Sequence, residues 1–255
     1  MKKMYLANEI EFFMDEISEF YDNICTPCSE NRVAYLVQLL SEIALPHPLF
    51  LDISCSTGET IYRLSKECKG EFYGSDFSNG MIKVAKEKNR NSINNHFCKV
   101  DMQELANGIL PMQDVVYGNS MEWLPSYNDL ENVLSNISKI LKPNGYLILD
   151  IVNRIKFQKK IKAYYSSYVS KGDWLYIKNT YYRRQMDKYI INQIYHKVSL
   201  GNGEMETVAG EFHYTPIDLG YLKKIINKQY RIVGIEKNYG FCGNDHYQII
   251  CKKQV

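Results

Sequence analysis

The sequence predicts an α/β protein: a mostly parallel sheet with helices on both faces. Three observations carry that prediction. Short apolar runs with strand character alternate with amphipathic helical stretches between residues 49 and 152. Several runs, such as Leu147-Ile148-Leu149, are apolar on both faces, as in strands covered from both sides. The runs also end in acids or tight-turn residues, which suits the carboxyl edge of such a sheet, where ligands bind.

The elements follow in order. Ile10 to Ile43 reads as two amphipathic helices broken near Thr26-Pro27. Leu49-Phe50-Leu51-Asp52-Ile53 is a buried strand opening into the tight turn Ser-Cys-Ser-Thr-Gly. Thr60 to Cys68 is helical, Glu71 to Phe77 a second strand, Asn79 to Lys88 a helix, His96 to Val100 a third strand and Asp114 to Tyr117 a fourth. Leu130, Val133, Leu134, Ile137, Ile140 and Leu141 recur at helical spacing, and Pro143-Asn144-Gly145 ends that helix. Tyr146 to Val152 is a fifth strand. Ile155 to Ser170 then reads as helix. Trp174 to Thr180, Tyr189 to Leu200 and Glu204 to His213 read as strands, with Gly201-Asn202-Gly203 as a hairpin turn. Thr215 is the expected N-cap, with Pro216 at the first position, of a helix reaching Lys228. Strands at Tyr230 to Lys237 and His246 to Lys252 close the chain.

A chain of 255 residues, 45% hydrophobic and 24% charged, holds one large domain or two small ones and is neither disordered nor collagen-like. No apolar run reaches the ~18 residues of a membrane span, and the N-terminus lacks the apolar core of a secretory signal. Seven scattered cysteines point to reduced thiols and a cytoplasmic setting. No membrane partner is expected. Cys25-x-x-Cys28 has the spacing of half a zinc site, but no second pair stands nearby, so no metal is expected.

Charge is uneven. Residues 1–48 hold three basic and eight acidic residues, whereas residues 151–200 hold eleven basic and two acidic ones. Eight of the 21 tyrosines share that basic stretch. The chain is also rich in Ile, Lys and Asn, so part of the tyrosine excess follows from an AT-rich composition.

The chemistry gathers at the carboxyl edge of the predicted sheet. The turn after Asp52 leads into a helix N-terminus, whose free N–H groups suit an anionic group. Asp76 ends the second strand, 24 residues beyond Asp52, where an acid binds a ribose diol. Asp101 and Met102 can read the edge and face of an adenine, and Met81 can pack on the same ring. No G-x-G-x-x-G follows the first strand, which disfavours a nicotinamide dinucleotide.

Leu-Asp-Ile-Ser-Cys-Ser-Thr-Gly (51–58), Gly-Ser-Asp-Phe-Ser-Asn-Gly-Met-Ile (74–82), Val-Asp-Met (100–102), Asp-Val-Val-Tyr-Gly-Asn-Ser-Met-Glu-Trp-Leu (114–124) and Leu-Lys-Pro-Asn-Gly-Tyr-Leu-Ile-Leu-Asp (141–150) together resemble the class I S-adenosylmethionine-dependent methyltransferases, nearest to the small-molecule N-methyltransferases acting on glycine-type amines and amino sugars. The resemblance implies a Rossmann-like seven-stranded sheet (49–153 and 214–255), an N-terminal helical lid (1–48) and a β-rich substrate cap inserted after the fifth strand (154–213). It implies S-adenosyl-L-methionine as cofactor. Asp52, Ser54, Cys55, Ser56 and Gly58 would line the methionine part. Asp76 and the adjoining Phe77 would lie at the ribose, Met81 and Met102 would sandwich adenine, and Asp101 would accept from its amino group. Asn119 and Ser120 would lie beside the sulfonium, and Arg32 would pair with the carboxylate. Ser56 departs from the pattern, which usually has Gly there.

The expected reaction is methyl transfer to a small molecule, with an amine preferred to a hydroxyl. Tyr21, Glu122 and His213 are the catalytic candidates. Each has a structural alternative: a surface aromatic, a helix-start acid and a strand-end histidine. Trp123, Tyr176, Tyr181, Tyr182, Arg183, Tyr195 and Tyr214 are the substrate-binding candidates, together with Tyr21. The basic, tyrosine-rich cap permits three readings: an aromatic cage for a cationic amine, a site for an anionic molecule met by Lys178, Arg183 or Arg184, or an RNA face. A pI near 8.0 disfavours nucleic acid, which stays as the alternative partner. A binding protein without catalysis is the third possibility.

Overall fold

A computed structural model describes residues 2–5, 10–25, 29–237 and 246–254, with side chains of residues 2–5, 29 and 30 left aside. Strand β1 (Lys2–Tyr5) is followed by helices α1 (Ile10–Ile17), α2 (Tyr21–Cys25) and α3 (Ser29–Glu42). The core then alternates β2 (Leu49–Asp52), α4 (Glu59–Glu67), β3 (Glu71–Asp76), α5 (Asn79–Lys88), β4 (Asn95–Lys99), β5 (Gln113–Gly118), α6 (Tyr127–Ile140) and β6 (Leu141–Val152). It closes with α8 (Leu219–Ile226), β11 (Tyr230–Lys237) and β12 (His246–Lys253). Helix α7 (Arg154–Lys160) leads into β7 (Tyr164–Lys171), β8 (Trp174–Gln185), β9 (Lys188–Ser199) and β10 (Met205–Tyr214).

Two sheets result. The larger has the order β11-β12-β6-β5-β2-β3-β4. Strands β2 to β6 run parallel, and β12 is antiparallel to both neighbours. Its order reverses between β2 and β5, so a crevice opens at their carboxyl ends. The strands are apolar on both faces because both are covered. One face carries Leu51, Val116, Leu147 and Leu149 against α6 and α8. The other carries Phe50, Val115, Tyr117 and Ile148 against α3 and α4. The smaller sheet has the order β1-β10-β9-β8-β7 and stands over the crevice. Helix α1 joins the two: Phe13 and Ile17 pack among Tyr176, Tyr195, Val208 and Phe212 of the smaller sheet and Met81 of α5. Asp15 Oδ1 also accepts from Gly80 N at 2.7 Å.

Three elements differ from the sequence reading. The helix expected over 155–170 stops at Lys160, and Tyr164–Lys171 is the edge strand of the smaller sheet. Its aromatic and β-branched residues pair with β8, while its outward side chains show no alternation of burial. The last helix is capped by Asp218, whose side chain accepts from Tyr221 N, not by Thr215, whose own N–H donates to Glu122 O at 2.8 Å. Among the described residues the N-terminal region holds three helices where two were expected; Thr26, Pro27 and Cys28 lie outside the described residues. No helix among the described residues is long and apolar enough to cross a membrane.

Candidate functional site

The crevice is built by the turns that follow β2, β3 and β5. Asp52, at the end of β2, is buried, and its Oδ1 accepts from Ser54 N at 3.1 Å and Asn119 Nδ2 at 3.5 Å. Ser54 Oγ donates to Asn119 O at 3.1 Å, tying the β2 and β5 turns together. Cys55 N donates to Ser75 O at 3.0 Å, and Ser56 N to Asp76 Oδ2 at 3.0 Å. Asp76 Oδ1 accepts from Ser78 N at 3.0 Å. Each Asp76 oxygen thus keeps a lone pair for a further donor. Burial pushes the carboxyls of Asp52 and Asp76 up to about 6, against the pull of those backbone N–H groups and, at Asp52, of Arg32.

Two serines in this rim hold the left-handed conformation that favours glycine: Ser56 at φ 47° and Ser120 at φ 63°. Such strain costs about 1–2 kcal/mol per residue and gathers at functional sites. Gly58 also has a positive φ, of 71°, and a Cβ there would lie 2.8 Å from Phe97 and 2.9 Å from Ala85. Gly58 is therefore fixed by packing behind the loop; it is not part of the cavity wall.

Two adjoining cavities share Tyr21, Ser54, Ser56 and Ser120. The first, about 610 Å³, is walled also by Cys55, Thr57, Asn119 and Arg32. The second, about 740 Å³, runs past Asp76, Phe77 and Met102 to Trp123, Lys178, Tyr195 and Phe212 of the cap side. The combined space has a carboxylate, Asp76, in one part and a guanidinium, Arg32, in the other. Arg32 Nη1 donates to Thr60 Oγ1 at 3.4 Å, and the guanidinium lies 5.9 Å from the Tyr117 ring centroid. Burial alone would ease its proton off; Tyr117, Asp150 and Asp52 outweigh that and hold it charged. A molecule with a diol near one end and a carboxylate near the other fits this donor set, as S-adenosylmethionine does.

The structure brings together Ser54, Cys55, Ser56, Asp76, Phe77, Met102, Asn119, Ser120, Arg32, Tyr21, Trp123 and Tyr195 around that space. Other expected residues fall elsewhere. Met81 is fully buried among Phe13, Phe20 and Phe212, so it cannot face an adenine in this arrangement. Asp101 caps the turn at Met102–Glu104, accepting from Gln103 N at 2.8 Å, and is not in the wall. Glu122 is 3% exposed, and its Oε1 accepts from Val152 N at 2.6 Å; burial pushes its carboxyl up to about 7. Its side chain is occupied by the β6 backbone and does not line the cavity. His213 is exposed and lines a further depression with Pro125, Met186 and Lys188, which adjoins the second cavity at Ile10, Trp123 and Phe212. Neither of these two catalytic candidates lines the two cavities.

Among the tyrosines, Tyr176 is buried with its ring stacked 6.1 Å from that of Phe20. Tyr181 is exposed and packs on Tyr164. Tyr182 and Tyr214 pack around Phe157, and Arg183 is exposed. Only Tyr195 of the cap tyrosines lines the described cavity. Tyr21, on the short helix α2, lies over the crevice. The neighbouring Cys25 and then burial push its hydroxyl well above the usual tyrosine range, so it stays protonated. Sequence reasoning missed Lys88, whose Nζ binds Asp22 of α2, Thr57 Oγ1 at 3.2 Å and Glu59 at 2.8 Å. It also left Gln193 unnoticed. A lysine or glutamine in a polar sequence gives no sign of which face it will take.

Residues 50–145 match a family described as a methyltransferase domain. Over 119 residues the chain is 33% identical to the putative methyltransferase YqeM of Bacillus subtilis (strain 168), covering 45% of this chain and 47% of that protein. The chain thus matches less than half the length of this relative. Among solved structures, an S-adenosylmethionine-dependent methyltransferase from Clostridium acetobutylicum ATCC 824 is 16% identical with a TM-score of 0.77, over 94% of this chain and 99% of that one. The S-adenosylmethionine-bound amino pentose methyltransferase CalS10 from Micromonospora echinaspora is 12% identical with a TM-score of 0.69, over 88% and 91%. At these identities the likeness is one of fold. Residues 50–145 thus match a methyltransferase-domain family, and the chain has the fold of the S-adenosylmethionine-dependent methyltransferases it is similar to.

Proposed function

We propose that this protein transfers a methyl group from S-adenosyl-L-methionine to a small-molecule acceptor, an amine in preference to a hydroxyl. The observation that carries the reading is the pair of adjoining cavities, one holding Arg32 and the other Asp76, the second walled on its far side by Trp123, Tyr195 and Phe212. Asp76 would accept from the ribose hydroxyls, Phe77 and Met102 would flank the adenine, and Arg32 would pair with the carboxylate. When bound, the cofactor supplies an activated methyl group on a sulfonium.

The residues of the chain then orient the partners and exclude water. Orientation alone can contribute roughly 7–11 kcal/mol to such a reaction. The described cavity wall holds no histidine, and its carboxylates are Asp76, Asp22 and Glu59, of which the last two are held by Lys88. Tyr21 is held protonated and so acts as a hydrogen-bonding group. An alcohol needs a base at this point, whereas a neutral amine brings its own lone pair. The lid and cap sheet leave a space of small-molecule size, which favours a small acceptor over RNA.

Calorimetric titration of the full chain with S-adenosylmethionine tests the cofactor assignment, and binding is expected in the micromolar range. An absence of heat at high micromolar ligand overturns it. Transfer of a radiolabelled methyl group to a panel of amines and alcohols tests the acceptor class.

A further inference from the structure

We propose that the methyl acceptor carries an anionic group, a carboxylate or a phosphate, which Lys178 and Gln193 bind on the cap side of the cavity. The inference rests on the methyltransferase reading above and adds the acceptor's chemistry to it.

Strand register places the two side chains. Lys178 stands opposite Tyr195, and Thr180 opposite Gln193, in the β8–β9 ladder. Residues two apart share a face, so Lys178 and Gln193 are diagonal neighbours on the face that also carries Tyr195. Across β9 and β10, Tyr195 pairs with Val208 and Ile191 with Phe212, which continues the same face. Lys178, Gln193, Tyr195 and Phe212 all line the cavity that contains Asp76.

The charge of that wall has one sign on the acceptor side. Its only carboxylate among the described lining residues is Asp76, which lies at the opposite side beside Phe77 and is held by two backbone N–H groups. Lys178 pairs with no carboxylate of the described residues. Among the described residues its ammonium meets the Cys25 sulfur at 3.9 Å and the Tyr195 ring, 5.3 Å to the centroid. Gln193 makes no side-chain hydrogen bond to the described residues. An ammonium with three donors and an amide with two are left facing the space where the acceptor must sit.

The aromatic walls taken alone would suit a cationic amine. Here the chain supplies that cation itself, through Lys178 against Tyr195. A second ammonium would meet Lys178 and the sulfonium with the one carboxylate of the described lining, Asp76, at the opposite side, in a site that screens charge poorly. An anion gains from the same arrangement. The positive surroundings also favour the neutral, reactive form of an acceptor amine. The other basic candidates of the cap do not compete. Arg183 and Arg184 are exposed near the β8–β9 turn, and Arg184 Nε donates to Met186 O at 3.1 Å.

The test uses the full chain saturated with S-adenosylhomocysteine, titrated calorimetrically with phenylacetate, phenyl phosphate, 2-phenylethanol and phenethylamine. At least one anion is expected to bind tenfold or more tightly than the neutral alcohol, and the amine no better than the alcohol. The stronger of the two anions identifies carboxylate or phosphate as the group. Lys178→Met should abolish the preference and Lys178→Arg should retain it, with S-adenosylhomocysteine affinity within twofold of wild type in both. Equal or undetectable binding of the anions, a preference for the amine, or a preference that survives Lys178→Met overturns the proposal. Failure of S-adenosylhomocysteine itself to bind overturns the methyltransferase reading instead.

Discussion

The Ser56 N–H donates to Asp76 Oδ2 across 3.0 Å, joining the left-handed turn after β2 to the carboxylate that ends β3. The bond comes from the backbone, so it does not need a serine. A glycine at this position keeps it and accepts φ 47° without strain. Ser56→Gly is therefore expected to raise stability by about 1 kcal/mol, read as a higher denaturation midpoint at unchanged slope. Removing the side chain also opens the rim shared by the two cavities, so S-adenosylmethionine should bind at least as tightly. Weaker cofactor binding in the variant would show that the hydroxyl itself holds the ligand.

Asp76 gives a pH signature. Its carboxyl is pushed up to about 6 by burial, and only the ionised form offers both oxygens as acceptors to a ribose diol. Cofactor affinity is expected to be flat above pH 7 and to fall below pH 6, by up to about tenfold per unit. Asp76→Asn should weaken binding at pH 7.5 by tenfold or more and reduce the slope. Asp52, also pushed up to about 6, would supply what slope remains. Calorimetry at pH 5, 6, 7 and 8 reads both effects.

Glu122 separates a structural role from a catalytic one. Its folded value of about 7 lies above the ordinary glutamate value of 4.5, so folding favours the protonated form. Stability contributed by the protonated group is complete below pH 4.5 and is lost as pH rises through 7. Glu122→Gln should flatten that decline and leave methyl transfer within a few-fold of wild type. Glu122→Ala leaves Val152 N–H without its acceptor and should cost about 1–3 kcal/mol. A hundredfold loss of turnover in the glutamine variant, with stability intact, would restore it as a base.

Lys88 fastens the lid. Its ammonium bridges Asp22 of α2 to Thr57 and Glu59 of the core, and Asp22 also accepts from Thr57 Oγ1. Lys88→Met should release α2, raise the cofactor Kd about three- to tenfold and speed protease cleavage between residues 10 and 30. Lys99→Met, which removes the exposed pair with Glu11 of α1, is expected to change stability by less than about 1 kcal/mol. Equal behaviour of the two variants would deny Lys88 its fastening role.

The core was legible because each level of the sequence agreed with the next. Apolar strands such as Leu147-Ile148-Leu149, the Asp52 turn and Asp76 all mark positions that local patterning and tertiary burial both specify. The cap was less legible for the opposite reason. Tyr164 to Ser170 carries small and aromatic residues without a buried face, so neither a helical nor a strand period is imposed on it. Thr215-Pro216 has the local pattern of a helix start, but the Thr215 N–H is taken by Glu122 O, and the helix begins at Leu219 with Asp218 as its cap. Glu122 and His213 were chosen as reactive residue types near the site, but side-chain direction is set by neighbours distant in sequence. Lys178 stood beside Arg183 and Arg184 as an equal until the β8–β9 register sent it inward.

Strand β1 pairs in parallel with β10, Lys2 with Thr207 and Tyr5 with Gly210, roughly two hundred residues downstream. A pairing that distant in the chain is slow to form. During synthesis, β1 must wait until β10 has left the ribosome, while the core from β2 to β6 can already assemble. Until β1 docks, β10 is an open edge able to recruit a strand from another molecule. Refolding is therefore expected to show a fast phase for the core and a slower, aggregation-sensitive phase in which the first strand closes the cap.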